Sequence, residues 1–194
     1  MKVYFTSPIS ALKTQMPYIR KIREILLDEG YYLTRDWLPE YIDPKKNKLE
    51  TLLKDSTKRS VWYKEIKSAI MDADVCIFES TKQTMGLGHQ VTLALEKNKP
   101  TLIIGDRKNG GIMENLLIAG SGSGYLTLKN YSDIGEMEKQ ITKFLEKNKN
   151  KRVQRLNIAL DSNLFSKINE QSKKINTTKT DIIRKALKDY FKME

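Results

Sequence analysis

Apolar residues along this chain switch repeatedly between short continuous runs and a spacing of three to four, the pattern of strands alternating with covering helices. The runs fall at residues 2–7 (Lys-Val-Tyr-Phe-Thr-Ser), 31–37, 74–80 (Asp-Val-Cys-Ile-Phe-Glu-Ser), 101–105 (Thr-Leu-Ile-Ile-Gly) and 125–131. Pro8 ends the first, since proline cannot continue a ladder. Helical spacing is carried by Tyr18, Ile19, Ile22, Ile25 and Leu26 over residues 15–29, with Gly30 as the C-cap. It returns through Val61, Ile66, Ala69 and Ile70, over the stretch after Gly86, briefly over residues 113–118, and through Ile134, Met137, Ile141 and Leu145 over residues 133–148. Residues 38–59 hold two prolines and six Lys or Arg without a sustained period and read as a long loop. Five strands alternating with helices predict an α/β domain over residues 1–148: a doubly wound five-stranded parallel sheet, flavodoxin- or Rossmann-like, with right-handed crossovers.

The pattern then changes. Residues 147–152 form a polar basic linker, and residues 155–160 alternate strictly, with Leu156, Ile158 and Leu160 on one face and Arg155, Asn157 and Ala159 on the other. Asp161 or Ser162 is placed to cap a helix carrying Leu164, Phe165, Ile168 and Ile175. Thr178-Lys179-Thr180-Asp181 is a capping-box-like start for a second, carrying Ile182, Ile183, Ala186, Leu187, Tyr190 and Phe191. One strand and two helices are too few to close a core, so a small second domain over residues 152–194 is expected to dimerise.

Charge sharpens this division. The 194 residues carry 35 Lys and Arg against 24 Asp and Glu, a net of +11. Residues 151–194 contribute 11 basic and 5 acidic side chains, a net of +6, which points to a polyanion partner. No run approaches a membrane span of roughly 18 apolar residues and no signal-like stretch opens the chain, so a cytoplasmic protein is expected. The single cysteine, Cys76, lies inside an apolar run and reads as a packed hydrophobe. One histidine, His89, leaves no multi-histidine metal site and no histidine-based triad, and no cofactor is expected.

Candidate chemistry gathers after residue 74, where a strand leads through a polar loop to Gly86-Leu-Gly-His-Gln90 and a helix. Open α/β sheets bind ligands where strand carboxyl ends meet helix amino ends. Residues 2–8, Asp72-Ala-Asp-Val-Cys-Ile-Phe-Glu-Ser80 and Thr84-Met-Gly-Leu-Gly-His-Gln-Val-Thr-Leu-Ala94 together resemble the nucleoside 2-deoxyribosyltransferase family, which includes nucleotide N-glycosidases. The resemblance covers most of residues 1–132. It implies a pocket for a nucleoside or nucleotide lined by Tyr4, Thr6, Ser7, Ile9 and Ser10, with Thr84 at the hydroxyl position that binds a sugar or 5′-phosphate. Gly86 and Gly88 would floor the pocket, His89 would contact the base, and Asn115 would stand at a phosphate-binding place. The family attacks the anomeric carbon with a glutamate, and Gln90 holds that position here. A neutral amide is a poor nucleophile, so the family route should be lost or severely reduced. Ile66 stands where the family often has an acidic residue, with Glu65 beside it, and Glu79 is a weak substitute for the missing carboxylate.

The strand-helix-helix order of residues 152–192 resembles the ribbon-helix-helix family, whose paired strands enter the DNA major groove. It implies Arg155, Asn157 and Ala159 as base readers, and Thr178, Lys179 and Thr180 as phosphate contacts. The combined expectation is a homodimeric or larger DNA-binding regulator whose first domain senses a nucleoside or nucleotide without cleaving it. The alternative is an active N-glycosidase or deoxyribosyltransferase with an autoregulatory tail. A third reading is an antitoxin-like protein that represses its own operon and binds another protein.

Overall fold

A computed structural model describes residues 1–43, 52, 54–112, 116–149, 158–175 and 177–192. The chain divides into two compact units, Met1–Arg152 and Val153–Glu194.

The first unit is a five-stranded, all-parallel sheet in the order β2-β1-β3-β4-β5, made by β1 (Lys2–Thr6), β2 (Tyr32–Leu33), β3 (Val75–Glu79), β4 (Thr101–Asp106) and β5 (Leu126–Tyr131). The strand order reverses between β1 and β3, registered as Val3 with Val75 through Thr6 with Phe78. Such a reversal opens a crevice at the strands' carboxyl ends. Every residue of β3 and β4 is buried, as strands covered on both faces require.

Alternation divides the core into two layers. Val3, Phe5, Val75, Ile77, Leu102 and Ile104 face α1 (Leu12–Asp28) and α6 (Ile134–Lys149), whose Ile19, Ile22, Leu26, Met137, Ile141 and Leu145 complete that layer. Tyr4, Cys76, Phe78 and Ile103 face the other way, onto Ile66 and Ile70 of α3 (Ser56–Asp72) and Leu87, Val91 and Ala94 of α4 (Met85–Glu96). Burial among these apolar groups pushes the Cys76 thiol up to about 12 and leaves it a packing residue.

Several ends depart from the sequence pattern. Only two residues of the run at 31–37 pair with β1, because α2 (Leu38–Ile42) starts immediately afterwards inside the stretch read as loop. Trp37 and Leu38 are buried against Phe5, so apolar residues here serve packing rather than a longer strand. Helix α3 starts five residues earlier than Val61, since the Asp55 carboxylate accepts from the Thr57 and Lys58 amides and caps it. Helix α1 starts at Leu12 and ends as expected at Gly30: φ there is +71°, and the Gly30 and Tyr31 amides bond to Leu27 and Leu26 in a Schellman closure. The short helix expected at 113–118 is α5 (Leu116–Ala119), and residues 113–115 lie outside the described ones.

The second unit contains α7 (Ser162–Lys174) and α8 (Lys179–Phe191). Asp161 caps α7 by accepting from Leu164, and Thr178 caps α8 by accepting from Asp181. Asp181 turns its carboxylate to the Thr178 hydroxyl and to Arg184. Neither helix has a buried residue: Leu164, Phe165, Ile175, Tyr190 and Phe191 are between 45% and 78% exposed. Of the expected strand, Arg155 and Asn157 lie outside the described residues, and Ala159 and Leu160 adopt no regular structure. No described helix is long and apolar enough to cross a membrane.

Candidate functional site

The crevice between β1 and β3 collects the polar side chains of the first unit. Tyr4 leaves the middle of β1 on the α3–α4 face, and its hydroxyl donates to Gln90 Oε1 at 2.6 Å. The ring is buried and packs edge-on against Phe78, 6.0 Å between centroids. Burial raises the phenol well above the ordinary tyrosine value, with Arg35 acting in the opposite direction, so the hydroxyl keeps its proton and acts as a donor. Gln90 is half-buried in the second turn of α4, whose N-cap Thr84 accepts from the Leu87 amide through its hydroxyl at 3.2 Å. Among the described residues no hydrogen-bond partner is seen for the Gln90 amide nitrogen.

Gly86 and Gly88 lie in the first turns of the same helix, and a Cβ added to either would meet nothing within 4 Å. Crowding inside the chain therefore does not explain either glycine. His89 is exposed beside Tyr63 of α3, the rings 5.7 Å apart and inclined by 33°, with 3.3 Å between the Tyr63 hydroxyl and His89 Nε2. Sequence periodicity did not single out Tyr63, because α3 appeared to begin only two residues before it.

Glu79 ends β3 with 0% exposure. Ser7 donates to its Oε2 at 2.8 Å; the Thr81 amide at 3.0 Å, the Thr81 hydroxyl and the Tyr131 hydroxyl at 3.3 Å reach Oε1. Thr81 Oγ1 in turn accepts from the Asp106 amide at 2.8 Å. The carboxyl thus joins the ends of β1, β3 and β5, and Thr81 extends the network to β4. Burial pushes it above the ordinary carboxylate range, while the bonds from Thr81, Ser7 and Tyr131 pull it down.

Of the other residues expected at the pocket, Thr6 is buried, Ile9 is half-buried in a single 3₁₀ turn and Ser10 is exposed. Asn115 lies outside the described residues. Ile66 is buried on the inner face of α3, whereas Glu65 lines an open cleft of about 700 Å³ with Thr34, Arg35, Glu40, Lys64, Ser68, Ala69 and Asp72. Arg35 and Glu40 pair there at 2.7 Å. In the second unit Ala159 and Thr180 are exposed, Thr178 is the α8 cap, and Lys179 lies 4.6 Å above the Phe165 ring. No group of three described His, Cys, Asp or Glu residues is placed to hold a metal ion.

No family model matches the chain. The Putative 2′-deoxynucleoside 5′-phosphate N-hydrolase 1 of Thermofilum pendens is 24% identical over 148 residues, 75% of this chain and 95% of that protein. Among solved structures, the CMP N-glycosidase of Clostridium botulinum aligns at a TM-score of 0.50 and 12% identity, over 73% of this chain and 98% of its own. The fold is nucleoside 2-deoxyribosyltransferase-like. The 2-deoxyribosyltransferase of Bacillus psychrosaccharolyticus aligns at a TM-score of 0.43 and 22% identity, over 71% of this chain and 90% of its own. The relative found by sequence is described as an N-hydrolase and the fold match as an N-glycosidase, and neither description mentions DNA.

Proposed function

We propose that the first unit takes a nucleoside 5′-monophosphate into the crevice at Tyr4 and Gln90 and hydrolyses its N-glycosidic bond. The observation that carries this is the extent of the match: similarity to an N-hydrolase spans 95% of that protein and 75% of this chain. The chemistry needs a site that holds the sugar while positive charge grows at its anomeric carbon. Tyr63 and His89 offer ring faces for a base, and the open side of Gly86 and Gly88 leaves space for the ligand against the helix. Glu79 holds the strand ends in place, being too deeply buried to meet a sugar. Turnover is slow, because an amide at position 90 supplies no full negative charge.

Incubating the full chain with ribo- and 2′-deoxyribonucleoside 5′-monophosphates, followed by chromatography for free base, tests this directly. Base release from at least one monophosphate, raised at least tenfold by Gln90→Glu, is expected. Absence of release from both proteins, despite calorimetric binding, overturns hydrolysis and leaves a binding domain.

A second reading concerns the tail. Its net charge of +6 and the absence of any buried side chain in α7 and α8 favour a basic module that closes its core by pairing with a second copy and binds DNA. In that reading Arg155, Asn157 and Ala159 face bases while Thr178, Lys179 and Thr180 hold a phosphate. Anisotropy with the protein's own upstream DNA should show affinity falling steeply between 50 and about 200 mM salt. Salt-independent or absent binding rejects it.

A further inference from the structure

We infer that the reaction at this site is a single displacement by water, so that the protein hydrolyses nucleotides with inversion and does not transfer the sugar to a second base. The inference rests on the proposed hydrolysis and concerns only its route. A double displacement needs a side-chain atom at the anomeric carbon with a free electron pair. The nitrogen of an amide has none, because its pair is delocalised into the carbonyl. The carbonyl oxygen is the only remaining candidate, and attack by it would leave a positively charged imidate. At Gln90 that oxygen already accepts the Tyr4 hydroxyl proton at 2.6 Å from a buried phenol that holds it firmly. This hydrogen bond also orients the side chain: with one lone pair of Oε1 held by Tyr4, the Nε2 hydrogens turn away from it as donors.

A donor in that position suits a water molecule. An N–H directed at the water oxygen fixes the water while leaving its second lone pair free to attack, which is the orienting role a glutamine plays toward hydrolytic water elsewhere. Glu79, the carboxylate that ends β3, is closed off at 0% exposure and engaged by Ser7, Thr81 and Tyr131, so it offers no second nucleophile. In the balanced step, the water oxygen forms a bond to C1′ as the C1′–N bond breaks. The departing base takes the bonding electron pair and a proton while one O–H bond of the attacking water breaks and releases a proton, so the products are a free base and a pentose 5-phosphate. A β-nucleotide therefore yields the α-sugar phosphate first, and no sugar remains attached to the protein between steps.

Three readouts on the full chain decide the matter. With the monophosphate that releases base, a second, isotopically labelled base is added to detect exchange. In parallel, 20% methanol traps the sugar as a methyl glycoside, which does not interconvert between anomers, and NMR assigns its configuration. Wild type is expected to give base release without labelled nucleotide, and the α-methyl glycoside. Gln90→Glu is expected to form labelled nucleotide and to give the β-methyl glycoside, while Tyr4→Phe, which removes the hydrogen bond to Oε1, is expected to lower kcat more than KM rises. Labelled nucleotide or a β-methyl glycoside from wild type overturns the single displacement while leaving hydrolysis standing. Absence of base release from wild type overturns hydrolysis and this route together.

Discussion

Replacing Glu79 isolates how much the buried carboxyl holds the crevice together. Glu79→Met keeps the volume nearly constant and removes every acceptor. Tyr131 can turn its hydroxyl toward Gln15, whose Oε1 lies 3.4 Å away, but the Ser7 hydroxyl, the Thr81 amide and the Thr81 hydroxyl lose their acceptor. At about 1 kcal/mol for each buried donor left unsatisfied, the loss is roughly 3 kcal/mol. Glu79→Gln should cost far less, because its oxygen serves Thr81 and Tyr131 while the Ser7 hydroxyl turns to accept from the amide. The two variants also differ in pH dependence. The folded carboxyl holds its proton above the ordinary range. Its stabilisation is therefore full below the unfolded value of about 4.3 and is lost as pH rises through the raised folded value. Glutamine has no proton to lose, so the stability difference should move toward the Gln variant as pH rises from 5 to 8. Urea unfolding followed by tryptophan fluorescence measures this in the right unit, since the only two tryptophans, Trp37 and Trp62, both lie in it. A Met variant within about 1 kcal/mol of wild type at pH 7 would refute the satisfaction argument; a Gln–Glu difference flat in pH would refute the electrostatic one.

Gly105→Ala should cost about 1–3 kcal/mol on the same assay, because the new Cβ would stand 2.8 Å from Ile112 Cγ2 and 3.3 Å from backbone atoms of Gly111 and Ile112. Gly88→Ala should do the opposite for the fold, stabilising it by about 0.5–1 kcal/mol where nothing crowds the added methyl, while weakening monophosphate binding measured by calorimetry. If binding is unchanged, the open side of that glycine is not where the ligand lies. Leu187→Asp should weaken self-association of the full chain at least tenfold in sedimentation velocity; unchanged association would place the contact between copies elsewhere.

The parallel sheet was legible because β3 and β4 are apolar at every interior position and because proline, glycine and capping residues punctuate the helices. The edge was harder to read. Tyr32 and Leu33 belong to a strand, whereas Trp37 and Leu38 are equally apolar and serve a helix packed on Phe5, and periodicity alone does not separate strand burial from helix burial in so short a run. The Tyr4–Gln90 pair joins residues 86 positions apart, and the Glu79 network joins four strand ends; no local spacing encodes either. Glu79 could be read as a turn cap from its place at the strand end, but its complete burial follows from Tyr131 and Ser7 closing over it.

The bare apolar faces of α7 and α8 have a consequence at the level of the cell. A unit that completes its core only against another molecule has no fixed stability of its own: each tenfold rise in the concentration of whatever covers it adds about 1.4 kcal/mol once the site is near saturation. The first unit has a core of its own, with β3 and β4 buried throughout. If the tail pairs as proposed, the stability of one end of the polypeptide follows its copy number.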